Sequence, residues 1–480
     1  TGPNATLIST FTASTPVTLV IAAKTISVAA TFALALQAVY FYPATPVMGL
    51  LTYENGGIND FPTIGFDTDF AYEYGPTGWG QASGGTDTWT GGDTNFFWGA
   101  TWRGASSDST DIILFVTNNV AADGIRYWNN ALWTTPTFNY LAATPIQTAL
   151  IIVPFKNRLV LLSTTEAGGK IYQNRARFCQ NGSPLDADAW REDIVGRGGW
   201  VDAPTQERII TAQLLRDRLI VYFESSTWEL AYTQNPVLPF IWQQLNPELG
   251  SQSTFSQIPF DLEILAIGYN GLHSCNGVNV RRIDDKIPNL VFDISNENNG
   301  PIRTYGIRDY FMEMVYWSLP FDRNQSEFAK KYPNSILCYN YRNQTWSIND
   351  DSITCFGYFR QQATDTWETT YTPWKKMNIA WDSATQALRF KQIIAGNQEG
   401  YVFVIQPNEV PSNAQVLQIT DLSSTANVVT ITCINHNLRA GDWIYIADAQ
   451  PYFDPGSPQS SAVNYQVKSV LQNLLDSLTY

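Results

Sequence analysis

Charge is what this sequence has least of. Only 15% of its 480 residues are Asp, Glu, Lys or Arg, against about 25% in an ordinary soluble chain. The few charges are mostly acidic, 43 against 29 bases, for a net charge of −14. Gripping nucleic acid without regard to sequence requires Lys and Arg to neutralise phosphates. No basic block is present; the nearest are Arg281-Arg282, Lys330-Lys331 and Lys375-Lys376, each read as a solvated turn. Histidine is scarcer still: His273 and His436 are the only two. That leaves little for a Ser-His-Asp or Cys-His centre or for a transition-metal site. Cysteine is sparse and odd in number, Cys179, Cys275, Cys338, Cys355 and Cys433, with no C-x-x-C pair. The spacing implies buried free thiols and no disulfide framework. Helix-period runs are nearly absent, the best being the short stretch 326–331.

What the chain has is aromatics, at 14%, with 16 Trp, 24 Tyr and 25 Phe. Together with β-branched residues they favour pleated, half-buried strands. The most apolar run, Val17 to Tyr42, carries Thr18, Lys24, Thr25, Ser27, Thr31 and Gln37, so it reads as strands and not as a membrane helix. The chain opens on Thr1, and no signal-peptide pattern is visible there.

From about residue 110 a unit recurs: an aliphatic strand, a turn of Asn, Asp or Gly, then a strand with Trp or Tyr. The units are DIILFVTNN with GIRYWNNALW, NRLVLLSTT with GKIYQNRARFC, DRLIVYFES with TWELAYT, LEILAIGYNG with GVNVRRIDD, MEMVYWSLP with SILCYNYRNQTWSI, and NIAWDS with LRFKQIIAGNQEGYVFVI. Their spacing suits propeller blades with insertions. One such sheet cannot cover both its faces, and radial packing buries them. The expected fold is all-β: an irregular β-propeller of about six blades with a small C-terminal β module, room remaining for one more blade before residue 110. The expected division is residues 1–45 as an N-terminal β region, 46–408 as the propeller and 409–480 as a β-barrel-like module. NPVLPF (235–240) and PNEVPSN (407–413) read as connectors.

Motifs for chemistry are missing: no G-x-S-x-G, P-loop, G-x-G-x-x-G or H-E-x-x-H. His273 reads as a polar residue in a tight GLHSCNG turn. Asp322, Asn324 and Ser326 have calcium-loop spacing, but Glu327 and Pro333 stand at the two diagnostic positions. Asp186 and Asp188 read as an ordinary polar loop. Acid pairs for glycoside hydrolysis, which need a set separation across a cleft, are Asp284-Asp285, Asp350-Asp351 and Glu192-Asp193; all read as exposed turn acids. No catalytic residue, metal site or cofactor is expected.

Two stretches carry a resemblance. One is FKNRLVLLSTTEAGGKIYQNRARFCQNGSPLDADAWRE followed by TQERIITAQLLRDRLIVYFESSTWELAYT. Here Arg175, Arg177 and Phe178 form an R-x-R-F strand, and Gly182, Pro184 and Trp190 a G-x-P…W loop. Ile210, Asp217, Leu219, Phe223, Trp228, Leu230 and Tyr232 complete a further blade. The other is RTYGIRDYFMEMVYWSLPF with ILCYNYRNQTWSI, where Tyr341 is kept and Trp346 comes one residue early. These resemble the β-propeller proteins of short-tailed bacteriophage tails, the nozzle, hub or DNA-stabilisation proteins. INHNLRAGDWIYIAD resembles modules appended to tail proteins, with Asn437 in place of the usual Gly.

The resemblance implies a structural virion protein of the tail, assembled in the host cytoplasm. It implies self-association into a ring of six copies and contacts with adaptor or portal-side proteins and with fibres or spikes. Translocating DNA would touch the lumen only transiently and non-specifically, and no stable membrane insertion is expected. An acidic lumen would repel phosphate. The alternatives are a receptor- or glycan-binding propeller acting as a depolymerase, and a cellular propeller scaffold.

Overall fold

The computed structural model describes residues 45–53, 62–75, 78–104, 112–322, 332–359 and 391–405 in full, and elsewhere only strand backbones. The chain divides into two compact units, Thr1–Ile405 and Gln406–Tyr480.

The first unit contains, among the described residues, seven consecutive antiparallel sheets. Blade 1 is Gly49–Thr52, Thr63–Phe66, Ala71–Gly75 and Gly78–Gln81. Blade 2 is Trp98–Arg103, Ile112–Thr117, Arg126–Trp128 and Trp133–Thr134. Blade 3 has five strands, Asn139–Leu141, Thr144–Phe155, Arg158–Glu166, Lys170–Phe178 and Gly199–Asp202. Blade 4 is Ile209–Leu215, Arg218–Phe223, Thr227–Tyr232 and Phe240–Asn246. Blade 5 is Ile258–Pro259, Ile264–Gly268, Gly271–Cys275 and Val280–Arg282. Blade 6 is Tyr305–Asp309, Met314–Leu319, Ser335–Asn340 and Thr345–Asn349. Blade 7 has three described strands, Cys355–Phe359, Gln392–Gly396 and Val402–Ile405.

The fold is therefore an all-β propeller, with seven blades where about six were expected. The additional blade is the one before residue 110. Its Gly-rich sequence hides the strand alternation. The NIAWDS strand (378–383), the helical stretch 326–331 and the loop residues Asn324, Ser326, Glu327 and Lys330-Lys331 lie outside the described residues.

Local chemistry explains the turns. Between Phe155 and Arg158, Lys156 (φ 49°) and Asn157 (φ 56°) both adopt left-handed backbone, the geometry of a two-residue hairpin turn whose twist matches the strands it joins. NPVLPF is not a connector between domains: it is the loop joining the last two strands of blade 4, closed by Thr233 N donating to Pro239 O at 2.9 Å.

The blades are glued by apolar layers. Five clusters of buried residues cover the successive interfaces: blades 2–3, 3–4, 4–5 and 5–6 have one each, and the fifth spans blades 6, 7, 1 and 2. The ring closes between blades 7 and 1. Thr354 Oγ1 donates to Val47 O at 2.5 Å, Thr52 Oγ1 donates to Tyr358 O, and Val47 N donates to Asn397 O at 3.0 Å. No described strand is shared between the two blades. Close approach there demands glycine: a Cβ on Gly357 would sit 2.6 Å from Leu50 Cβ, and one on Gly396 would sit 2.5 Å from Val47 Cβ.

Residues Val17–Ile21 pair with Lys24–Val28, and Thr6–Thr10 with Ala38–Phe41, so the apolar N-terminal run does form strands. No helix among the described residues is long and apolar enough to cross a membrane. In the second unit, Ile419–Thr425, Val428–Cys433, Asp476–Thr479 and Ser469–Gln472 form one sheet, and Trp443–Ile446 pairs with Val463–Gln466. His436, Asn437 and the Cys433 side chain lie outside the described residues.

Candidate functional site

The first strand of each blade, and in blade 3 the second, Thr144–Phe155, faces the propeller axis, and two cavities open along it at opposite ends. The first, of about 370 Å³, takes residues from the later parts of these strands, including Thr52, Gln213, Pro259, Arg308 and Tyr358. The second, of about 390 Å³, takes residues at or before their beginnings, including Asn95, Phe96, Arg208, Gln252 and Phe255. An aromatic cluster joins the two linings. Phe255 and Tyr305 stack at 4.7 Å with planes 6° apart. Phe96 packs on both, Trp98 on Phe255, and Phe356 on Tyr305. Each such ring pair adds about 0.5–1.5 kcal/mol beyond its burial.

The two ends differ in chemistry. The second cavity is lined by amides and hydroxyls, among them Asn95, Asn118, Gln173, Gln252 and Thr254. Its one lining charge, Arg208, is paired with Glu224 at 2.7 Å. The first cavity carries Arg308 and Lys391, and no carboxylate stands among its described lining residues.

The R-x-R-F motif forms a buried ionic network on blade 3. Glu166 accepts from Arg177 at 2.9 Å and from Arg175 at 3.3 Å. Arg177 also reaches Glu192 at 2.9 Å, and Arg175 grips Asp202 with bonds of 2.7 and 2.9 Å. Tyr172 and Trp200 flank the Arg175 guanidinium, and Tyr140 flanks that of Arg177. Burial alone would lower the Arg175 pKa, but Asp202 and Glu166 more than offset it, leaving the pKa raised. Trp190 is buried and donates to Pro184 O at 2.9 Å. Leu219, Phe223, Trp228 and Leu230 are core residues, and Trp346 stacks on Tyr339 at 4.2 Å. Most of the quoted motif positions pack or brace; Gly182, Asp217 and Tyr232 are exposed.

His273 is not in a turn. It lies inside strand Gly271–Cys275, every residue of which is buried, and neither ring nitrogen has a hydrogen-bond partner. Burial drives its pKa down to about 4, against the weaker upward pulls of the Gly271 backbone and Asp284. Cys275, two residues on, has its thiol pushed up by burial, the opposite of what a thiolate nucleophile needs. Cys179, Cys338 and Cys355 are likewise buried and free.

The singled-out acids are not assembled into a pair. Asp284 is fully buried and not an exposed turn acid; it holds Arg282 with two 2.9 Å bonds and accepts from Leu272 N. Asp285, Asp350 and Asp351 are exposed. Glu192 belongs to the ionic network, and Asp193 pairs with Arg191. Asp186 accepts from Gln180 and Asp188 from Arg191. None of these acids lines either axial cavity, and no group of three or more metal-ligating side chains occurs among the described residues. The feature that the sequence reading missed is Arg308, whose surroundings come from three different strand connections.

No family model matches the chain, and no curated protein matches it. Among solved structures it is similar to BBS1N in complex with ARL6DN, at 10% identity and TM-score 0.43, over 75% of this chain and 92% of that one. It is also similar to the extracellular domain of a hybrid two component system from B. thetaiotaomicron, at 10% identity and TM-score 0.39, over 91% of this chain and 51% of that one. The propeller is read from the seven sheets of this chain itself.

Proposed function

We propose that the protein is a structural subunit of a short bacteriophage tail, of the nozzle or hub kind. Six copies form a ring, hold neighbouring tail proteins, and enclose between them the passage through which DNA leaves. The observation that carries this reading is an apolar outer edge on blades 3 and 4. Trp200, Tyr232, Val237, Leu238 and Ile241 are all exposed there, Val237 at 70%. Trp242 Nε1 donates to Val201 O at 3.2 Å, so the two outer strands are neighbours. The outermost strand of blade 4, Phe240–Asn246, has an open edge with no Lys or Pro on it, devices that otherwise blunt edge pairing. Exposed aromatic and aliphatic clusters of this kind mark protein interfaces.

The purified protein is expected to form a closed ring visible by electron microscopy and mass photometry. The double substitution Leu238→Asp with Ile241→Asp is expected to shift it at least tenfold in concentration toward monomer, with an unchanged melting temperature. A wild-type chain that stays monomeric at every concentration and is absent from phage particles would defeat the reading.

The amide-lined cavity with Phe96 and Phe255 favours a second reading, a glycan-binding propeller. Aromatic faces and amides suit sugars. Isothermal titration with host-surface oligosaccharides separates the two: saturable binding lost in Phe96→Ala supports the second reading.

A further inference from the structure

Most of the buried and half-buried arginines of the propeller are neutralised. Arg126, Arg175, Arg177, Arg218 and Arg303 each face a carboxylate within 3.5 Å. Arg158 instead donates to the carbonyls of Cys179 and Arg197. Arg308 is the exception. Its single hydrogen bond among the described residues runs from Nη1 to Pro259 O at a long 3.4 Å, although a guanidinium carries five N–H donors. Nε is buried and has no acceptor.

The group is nevertheless held in place. Its guanidinium carbon lies 4.1 Å from the centre of the Phe260 ring, 4.6 Å from that of Tyr310 and 5.0 Å from that of Tyr341. Its backbone is pinned by Tyr358, whose hydroxyl donates to Arg308 O at 2.7 Å. Such stacking orients a planar fork while leaving its edge donors free.

Arg308 lines the axial cavity of about 370 Å³ together with Lys391, Gln213 and Tyr358, and no carboxylate stands among the described residues that line it. The adjoining cavity at the same end shares Thr52 and Tyr53 with it and adds Arg103 and Lys156, again with no acid among its described lining residues. In a chain with 14 more acids than bases, the charged residues among the described lining of this end are all cations. A pre-oriented guanidinium with open donors, a second cation and flanking hydroxyls make a receptor for an oxyanion.

We propose that this end of the propeller axis binds a small oxyanion-bearing ligand, a phosphate or a carboxylate, with Arg308 as the gripping residue and Lys391 as a second charge. The site is independent of the apolar outer edge.

The test is isothermal titration of the whole protein with three probes at low salt: pyrophosphate, citrate and a short single-stranded oligonucleotide. Binding of pyrophosphate or citrate is expected with a Kd at or below about 1 mM, weakening as salt is raised. Whichever binds tighter identifies the source as phosphate or carboxylate. Arg308→Gln is expected to weaken binding at least tenfold and Lys391→Gln about threefold, while Lys170→Gln, outside the cavity, leaves it unchanged. Near-UV circular dichroism checks that the variants are folded; should Arg308→Gln not fold, Lys391→Gln and the salt dependence carry the test. The proposal is overturned if neither small anion binds, if both bind equally to wild type and Arg308→Gln, or if the oligonucleotide alone binds.

Discussion

Replacing Glu166 by Ala is expected to destabilise the propeller by about 3–5 kcal/mol, the range for stripping one partner from a buried ion pair. Glu166 is only 2% exposed and sits between two guanidiniums. Arg175 keeps Asp202 and Arg177 keeps Glu192, but these acids are 34% and 25% exposed, whereas Glu166 is buried with both guanidiniums. Without Glu166 two buried cations lose the carboxylate they share, and Thr164 Oγ1 loses its acceptor. Urea titration followed by tryptophan fluorescence reads the effect as a lowered midpoint at unchanged slope. The triple variant Glu166→Met, Arg175→Met, Arg177→Met is expected to recover a good part of the loss, because apolar groups need no partners. A Glu166→Ala loss below about 1 kcal/mol would show that the network is solvated.

The second large effect concerns pH. His273 has a folded pKa of about 4, below its ordinary value of about 6.5. Above that ordinary value the imidazole is neutral in both states and its burial costs nothing extra. As pH falls from about 6.5 toward 4, the unfolded chain takes up a proton that the folded one refuses. Stability therefore drops with falling pH, by about 3 kcal/mol at pH 4 from this group alone, and levels off near about 3.4 kcal/mol below it. His273→Leu is expected to remove that portion of the acid sensitivity. The difference between wild-type and variant unfolding free energies, measured from pH 7.5 to 4, isolates it from the carboxylates common to both. Parallel curves would mean that His273 reaches water or a partner in the folded state.

These two residues also show what the sequence makes legible. The strands that alternate or run aliphatic, such as Arg158–Glu166 and Arg218–Phe223, are visible because their pattern follows their burial. Gly271–Cys275 is invisible for the same reason. Both its faces are buried, so His and Ser stand among apolar residues without alternation, between two glycines that read as turns. Asp284 looks like a surface acid because its partners, Arg282 and the Leu272 amide, meet it only through the sheet. Blade spacing is blurred by insertions, residues 179–198 inside blade 3 and residues 283–304 between blades 5 and 6. Arg308 has no local signal at all: Phe260 and Tyr341 come from other strand connections. The R-x-R-F strand was legible as a motif, but its braced network depends on Tyr140, Glu166 and Asp202 from three other strands.

The seam between blades 7 and 1 has a mechanical consequence. Because no described strand bridges it, the circle is fastened there, among the described residues, by four cross-seam hydrogen bonds, the fourth from Cys355 Sγ to Val47 O at 3.5 Å, and by the close packing of Leu50 on Gly357. Blade 1, beginning with Gly49–Thr52, and blade 7, whose last described strand is Val402–Ile405, flank this fastening. A pull on both ends therefore loads the seam first and peels the circle open blade by blade. Cutting the chain in a turn elsewhere and joining the old ends would keep every sheet intact while moving the weak point around the circle.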